Sequence, residues 1–466
     1  MSDAAVFVRA LFGSPGAPAA NGQDLLAQAA STHEDLLNRA GTSGDPALDG
    51  PLAPLRAYLG GAPTSDRRRL LCHPLFVEGL HGLAPFCPEL RRWHDSFTAP
   101  PASAAAPAAP PVPVALGCVA LAARLRADRG WQGECDLCTD VLGRLEFPFS
   151  DWTVLLRTDR DDCLAGRAVR LALDSGQACW RLGGADGPPF LVTSRADCLR
   201  LIADNEDPCD RRRLEFPDPH VRPRLQCASH LGHSKIRYDP VAFLDFRAHA
   251  GLTGGLVGRL LTAIRINSPA VYRELCAFLH TVRGFEFPRS ASGAVASFSD
   301  PTLPGVMGFA VAYTDRHEPC LDPFCFTWFG HEMGHTKDYL CETVLYGRGE
   351  GLVRNPADRT GPVPRYGRPL AVRTIIQVPY VHLYEWALLM DFCEAGFHGL
   401  PWRVPADVAA VGEDLAAEIE ESFPLIAEWA RLTPVGEAAV AYFRELYDRS
   451  LARWRALRTR GYHRCS

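Results

Sequence analysis

Apolar positions recur every three to four residues over most of this chain and every second residue over a short central stretch, so helices should dominate and strands should cluster. Residues 1–98 read as helical segments broken by turns. Within 66–83 (DRRRLLCHPLFVEGLHGL), Pro74 interrupts the helical spacing. The helical pattern resumes over 115–127. Alternation takes over at 151–158, 167–173 and 178–182, and the last two runs flank Asp174-Ser175-Gly176-Gln177, a good hairpin turn. Residues 240–279 return to helix, with Pro269 after Asn267-Ser268 as a start signal. The run GVMGFAVAY (305–313) predicts a strand at an edge of its sheet. A helix is expected over 322–346, with Pro323 in its first turn and Gly347 at its end. Beyond a polar, Gly- and Pro-rich loop (349–369), a helix should open near Pro379 and close at Gly396. Two more follow, over 406–432, acidic in its middle, and over 435–457. No repeat of solenoid length occurs.

Composition changes this picture at one place. Residues 99–113 (APPASAAAPAAPPVP) are almost only alanine and proline, which cannot bury a core and favour an extended spacer. At 466 residues and 51.0 kDa the chain is also too long for one small core. The expected division is a helical N-terminal region over 1–98, an Ala/Pro-rich linker over 99–116, and an α+β metal-binding catalytic domain over 117–466.

Hydrophobic residues at 47% and charged residues at 22% exclude wholesale disorder. The formal charge of -5 leaves no basic excess for nucleic acid. Lys235 and Lys337 are the only lysines, so nearly every cation is arginine, a bias we read as compositional. No run of eighteen apolar residues suggests a membrane span, and no export signal precedes Gly13-Ser14-Pro15. The 16 cysteines are mostly isolated, as expected of reduced thiols in a cytoplasm. Cys135 and Cys138 form one CxxC with no second pair at zinc-ribbon spacing, so they read as incidental.

The sharp signal is His331-Glu332-Met333-Gly334-His335. Residues four apart share a helix face, so both imidazoles can reach one metal, with the glutamate between them near its open side. A third ligand is needed, and the next helix offers His382 and Glu385, one turn apart. Glu385 would complete a His/His/Glu set as in thermolysin-type zinc peptidases, and His382 a three-histidine set. The expected fold is therefore α+β, mainly helical, with a small antiparallel sheet beside a zincin-like HExxH helix.

Around the motif the order of segments is SFSDPTLPGVMGF (297–309), HEMGHTKDYL, RYGRPL (365–370) and IIQVPYVHL (375–383). This order resembles the HEXXH-motif domain of peptide-modification proteins in ribosomal-peptide natural-product clusters, a domain also found joined to radical-SAM peptide maturases. The likeness covers residues 267–394, under a third of the chain. Gln377, Tyr380, His382 and Leu383 fall where that family's Leu-Leu-Gln-Gly-x-Tyr-x-His-Leu type of motif has its Gln, Tyr, His and Leu. Val378 stands where a glycine is usual, and the spacing from Arg368-Pro369 to Gln377 is two residues longer.

The resemblance implies an iron(II)- and 2-oxoglutarate-dependent dioxygenase that hydroxylates a peptide or amino-acid substrate, such as a ribosomal precursor peptide, in natural-product biosynthesis. It makes His382 the preferred third ligand. Such an enzyme needs a cation for the distal carboxylate of 2-oxoglutarate, and Arg373, Arg368 and Arg365 precede the third-ligand helix. The alternative is a zinc metallopeptidase, for example one that processes a leader peptide. There Glu332 is the general base, Tyr380 or Tyr384 steadies the oxyanion, and the 305–313 strand pairs with the substrate backbone. A metal-stabilised binding protein without turnover is the third reading.

Overall fold

The computed structural model describes residues 3–15, 19–42, 46–97, 114–140, 142–160, 162–183, 187–210, 213–227, 229–231, 233, 236–239, 250–287, 297–313, 318–319, 322–356, 359–403 and 407–460. Its fold is mainly helical α+β. The chain forms two compact units, one of Met1–Thr32, Asp95–Ala102 and Ser229–Ser466, the other of His33–His94 and Ser103–Ala228. These units interleave along the chain, unlike the linear division read from composition. Most of the expected linker, residues 99–113, lies outside the described residues. Its last three residues, 114–116, belong instead to a helix, Val114–Ala127.

In the second unit, the break at Pro74 separates the helices Thr64–Leu71 and Pro74–Gly82. The His73 side chain caps the latter by accepting from Leu75 N at 3.2 Å. The alternating run at 151–158 pairs as Trp152–Thr158 with Arg144–Glu146 and Val221–Cys227 in one antiparallel sheet. The runs at 167–173 and 178–182 form a separate one in the order Gly133–Cys138, Ala168–Leu173, Gln177–Leu182, Pro189–Ser194. Its predicted turn closes as Gly176 and Gln177 donate to the Asp174 carboxylate, each at 2.7 Å. Cys135 and Cys138 both lie on the first of these strands. Positions three apart on a strand face opposite sides, so this pair does not converge on one ion.

The first unit contains the HExxH segment. Its sheet runs Ser297–Ser299, Val306–Tyr313, Thr281–Phe287, Arg237–Asp239, Ser229–His230. The strand expected at an edge, Val306–Tyr313, is interior. Thr281–Phe287 flanks it in parallel, and Ser297–Ser299 and Glu318–Pro319 pair antiparallel on its other side. A strand whose own residues are mostly apolar is buried on both flanks, which its shortness disguised. Phe309 on this strand meets Trp328 and Phe329 of the next helix at ring separations of 5.3 and 5.6 Å.

That motif helix spans Trp328–Gly347, starting later than expected because residues 323–327 are turns. The following ligand helix spans Val372–Ala395 and begins seven residues before Pro379, which sits inside it. Proline removes one helical hydrogen bond, but Ile375, Ile376 and Tyr380 around it are buried, and their packing carries the helix through. Gly396, at φ 86°, ends it as expected. The acidic helix Val408–Trp429 and the C-terminal helix Pro434–Arg460 complete the bundle. Between the motif and ligand helices, Thr360–Val363 and Arg368–Ala371 form an antiparallel hairpin. Among the described residues, no helix is long and apolar enough to cross a membrane.

Two glycines decide how closely the central helices approach. A Cβ on Gly330 would lie 2.8 Å from the Tyr384 carbonyl oxygen, and one on Gly334 would lie 2.9 Å from Val381 Cα. Each glycine directly precedes a motif histidine. Backbone contact there brings the ligand helix within reach of the imidazoles.

Candidate metal centre

Helical spacing sets the rings of His331 and His335 on one face with centroids 5.0 Å apart. The close helix crossing brings the His382 ring 4.9 Å from that of His331. Glu385 Oε2 lies 3.0 Å from His331 Nδ1 and 3.2 Å from His382 Nδ1. Donor atoms of His331, His382 and Glu385 all fall within 4.8 Å of one another, a spacing that one ion can span. His382 and Glu385, alternatives in the sequence, are thus brought to the same place. His335 stands beside this group, its ring stacked at 5.9 Å on Tyr339, and its Nδ1 is buried without a hydrogen-bond partner.

A residue missed in the sequence joins the centre from the acidic helix. Glu418 Oε1 lies 3.2 Å from His382 Nε2, so His382 is held between two carboxylates. The acidic middle of that helix was visible in the sequence, but nothing in it marked which carboxylate turns inward. Burial opposes charge on His382, yet Glu385 and Glu418 outweigh it and push the imidazole up to about 9. Burial likewise opposes charge on Glu385, which His331 and His382 nonetheless hold well below the usual carboxylate range. Glu418 is drawn down to about 2, against burial, by His382, Tyr366 and Arg365. His335 carries no such compensation. Burial, then the neighbouring His331 and His382, lower it well below its ordinary value, leaving a neutral imidazole with a free electron pair.

Glu332 is 3% exposed, and its Oε1 accepts from Ser297 Oγ at 2.6 Å. Its Oε2 is buried with no partner. Burial raises its pKa.

The other expected residues occupy defined places. Arg373 donates to Glu342 and, at 3.0 Å, to the Phe97 carbonyl, and lies 3.9 Å from Asp338 Oδ2. It ties the ligand helix to the motif helix. Arg365 pairs with Asp414, with Glu418 at 3.3 Å and with Glu421 at 3.8 Å. Arg368 is exposed on the hairpin. Gln377 is buried and donates to Asp338. Tyr380 donates to the Phe12 carbonyl at 2.7 Å. Tyr384 accepts from Lys337, whose Nζ also reaches Glu274 at 2.8 Å. Gln377, Tyr380 and Tyr384 therefore serve core hydrogen bonds around the centre, while Glu332, His331, His335, His382 and Glu385 gather at it.

The chemistry of the donor set, two imidazoles and a carboxylate within reach of one ion and a third imidazole beside them with a nitrogen buried and unbonded, fits a divalent transition metal. No protein-family model matches this chain, and no curated protein matches it.

Proposed function

We propose that this protein is an iron(II)- and 2-oxoglutarate-dependent oxygenase that hydroxylates a peptide or amino-acid substrate in natural-product biosynthesis. The make-up of the donor set carries this reading. His331, His382 and Glu385 bring donor atoms within 4.8 Å of one another, a two-histidine, one-carboxylate set, with His335 beside it. A tetrahedral zinc held by three such ligands would keep one place, for water, whereas a six-coordinate iron would keep three, two for a bidentate 2-oxo acid and one for dioxygen. The likeness of residues 375–383 to the peptide-modifying family supports the same choice. When bound, iron with 2-oxoglutarate and dioxygen supplies the oxidising power to turn a substrate C–H into C–OH, the second oxygen atom entering succinate as carbon dioxide leaves.

The chain's own part is to hold and shield. Glu418 fixes the His382 ring from outside, as carboxylates commonly do for metal-bound histidines. Arg373 with Glu342, and Lys337 with Glu274 and Tyr384, lock the two helices in register. Glu332, steadied by Ser297, orients what occupies the open side.

A second reading, a zinc hydrolase, is favoured by two observations. The unbonded Glu332 Oε2 suits a general base, and Arg373 and Arg365 already face carboxylates. Glu332→Gln separates the two. In the oxygenase the amide should leave conversion of 2-oxoglutarate to succinate within about tenfold of wild type, because no general base is obligatory. In the hydrolase it should cost on the order of 10²–10⁴ in cleavage with the metal still bound. Metal analysis and succinate assay of protein purified without chelators decide first. No succinate with iron and candidate peptides, together with peptide cleavage by the zinc form, would overturn the oxygenase.

A further inference from the structure

Next to the centre lies a cavity of about 520 Å³ between the hairpin, the ligand helix and the acidic helix. That volume lies within the range of small-molecule pockets, roughly 300–1,000 Å³. Its walls are mainly apolar: Val363, Pro364, Ile375, Val378, Pro424 and Leu425. Its position follows from helix geometry. Ile375 and Val378 precede His382 by seven and four residues, so all three line one stripe of the ligand helix. On the facing helix, Leu425, Ser422 and Glu418 form the matching stripe, and Glu418 is the residue that touches His382. Glu418 is thus both a wall of the cavity and a contact of the centre. At a rise of about 1.5 Å per residue, Val378 is roughly 6 Å along the axis from His382.

The charge of the cavity is one-sided. Glu418 and Glu421 line it against Arg365, the only cation among its lining residues, and Arg365 is shared with Asp414 outside. An anionic occupant would be repelled. A large apolar side chain would displace water from the apolar walls without stranding a charge.

We propose that this cavity is the anchoring subsite for the substrate of the metal centre, taking a large apolar side chain, leucine-like or aromatic, and rejecting an acidic one. The proposal rests on the catalytic reading above, since it assumes that a peptide is presented to the centre. Occupancy here would set the reacting carbon within a few residues of the anchored side chain.

The test uses the full-length protein loaded with iron(II) under anaerobic conditions. N-acetylated, C-amidated peptides Gly-Gly-X-Gly-Gly, with X as Trp, Leu, Ala or Glu, are titrated by calorimetry. The Trp and Leu peptides should bind about tenfold or more tighter than the Ala and Glu peptides. Leu425→Trp and Val378→Trp fill the cavity from opposite walls, and each should erase that preference while metal content stays at wild type. Equal binding across the panel, no binding of any peptide, or a preference that survives in both filled variants would overturn the subsite. Should a variant fail to fold by circular dichroism, the order of the wild-type panel decides alone. Succinate formation in the same samples under air keeps the two readings apart. Apolar preference without succinate sinks the oxygenase and keeps the subsite. Succinate without apolar preference does the reverse.

Discussion

Glu385 is the side chain on which the centre turns. One of its oxygens, Oε2, meets imidazoles from both helices, at 3.0 and 3.2 Å, and its charge is held by them. Three donors share the reach of one ion, so removal of any one should be felt strongly. His331→Ala and His335→Ala remove the motif's own pair and should abolish stoichiometric metal. His382→Ala and Glu385→Ala each leave two of the three converging donors and should weaken binding by more than about 10–100-fold, the range for loss of an outer-shell partner alone. Metal analysis and competition with a chelator measure both effects. Full occupancy in His335→Ala, or wild-type affinity in both His382→Ala and Glu385→Ala, would dismiss the centre described here.

At the scale of elements, the motif and ligand helices meet through glycine. Gly330 and Gly334 admit the backbone of Tyr384 and Val381 to within about the contact distance of a missing methyl group. Gly334→Ala should gain helix propensity, up to about 1 kcal/mol, yet lose stability by about 1–3 kcal/mol overall, since neither backbone can yield. The pushed-apart helices should also hold metal less tightly. Gly60→Ala is the control, because a Cβ there meets nothing within 4 Å. Its denaturant midpoint should stay level or rise. A Gly334→Ala protein as stable and as metal-tight as wild type would show that close approach is not what assembles the centre.

For the whole molecule, metal binding at this centre would be linked to folding, because donors from separate helices converge only in the native state. With free metal at about a hundred times its dissociation constant, the gain is about 2.7 kcal/mol. For a unit of this size that corresponds to roughly 5 °C in the melting of the unit with the candidate centre. Chelation should reverse the shift, and calorimetry should find none in His335→Ala. An equal chelator effect on that variant would trace the stabilisation to another site. Among the described residues, the three whose donor atoms converge all belong to the same unit.

Periodicity alone set out most helices and the hairpin at Asp174, because amphipathic spacing and turn chemistry are local properties of the chain. The motif histidines were legible for the same reason, four residues apart on a helix whose identity its apolar flanks made plain. What lay beyond reach was set by neighbours distant in sequence. Val306–Tyr313 gained strands on both sides, a matter of pairing that its own eight-residue pattern does not encode. Pro379 was absorbed into a helix because buried neighbours compensated a locally unfavourable residue. The choice between His382 and Glu385 dissolved when two glycines let the helices touch, and Glu418 arrived from a third helix. Spacing along one helix determines which side chains share a face, whereas only packing between helices determines which faces meet.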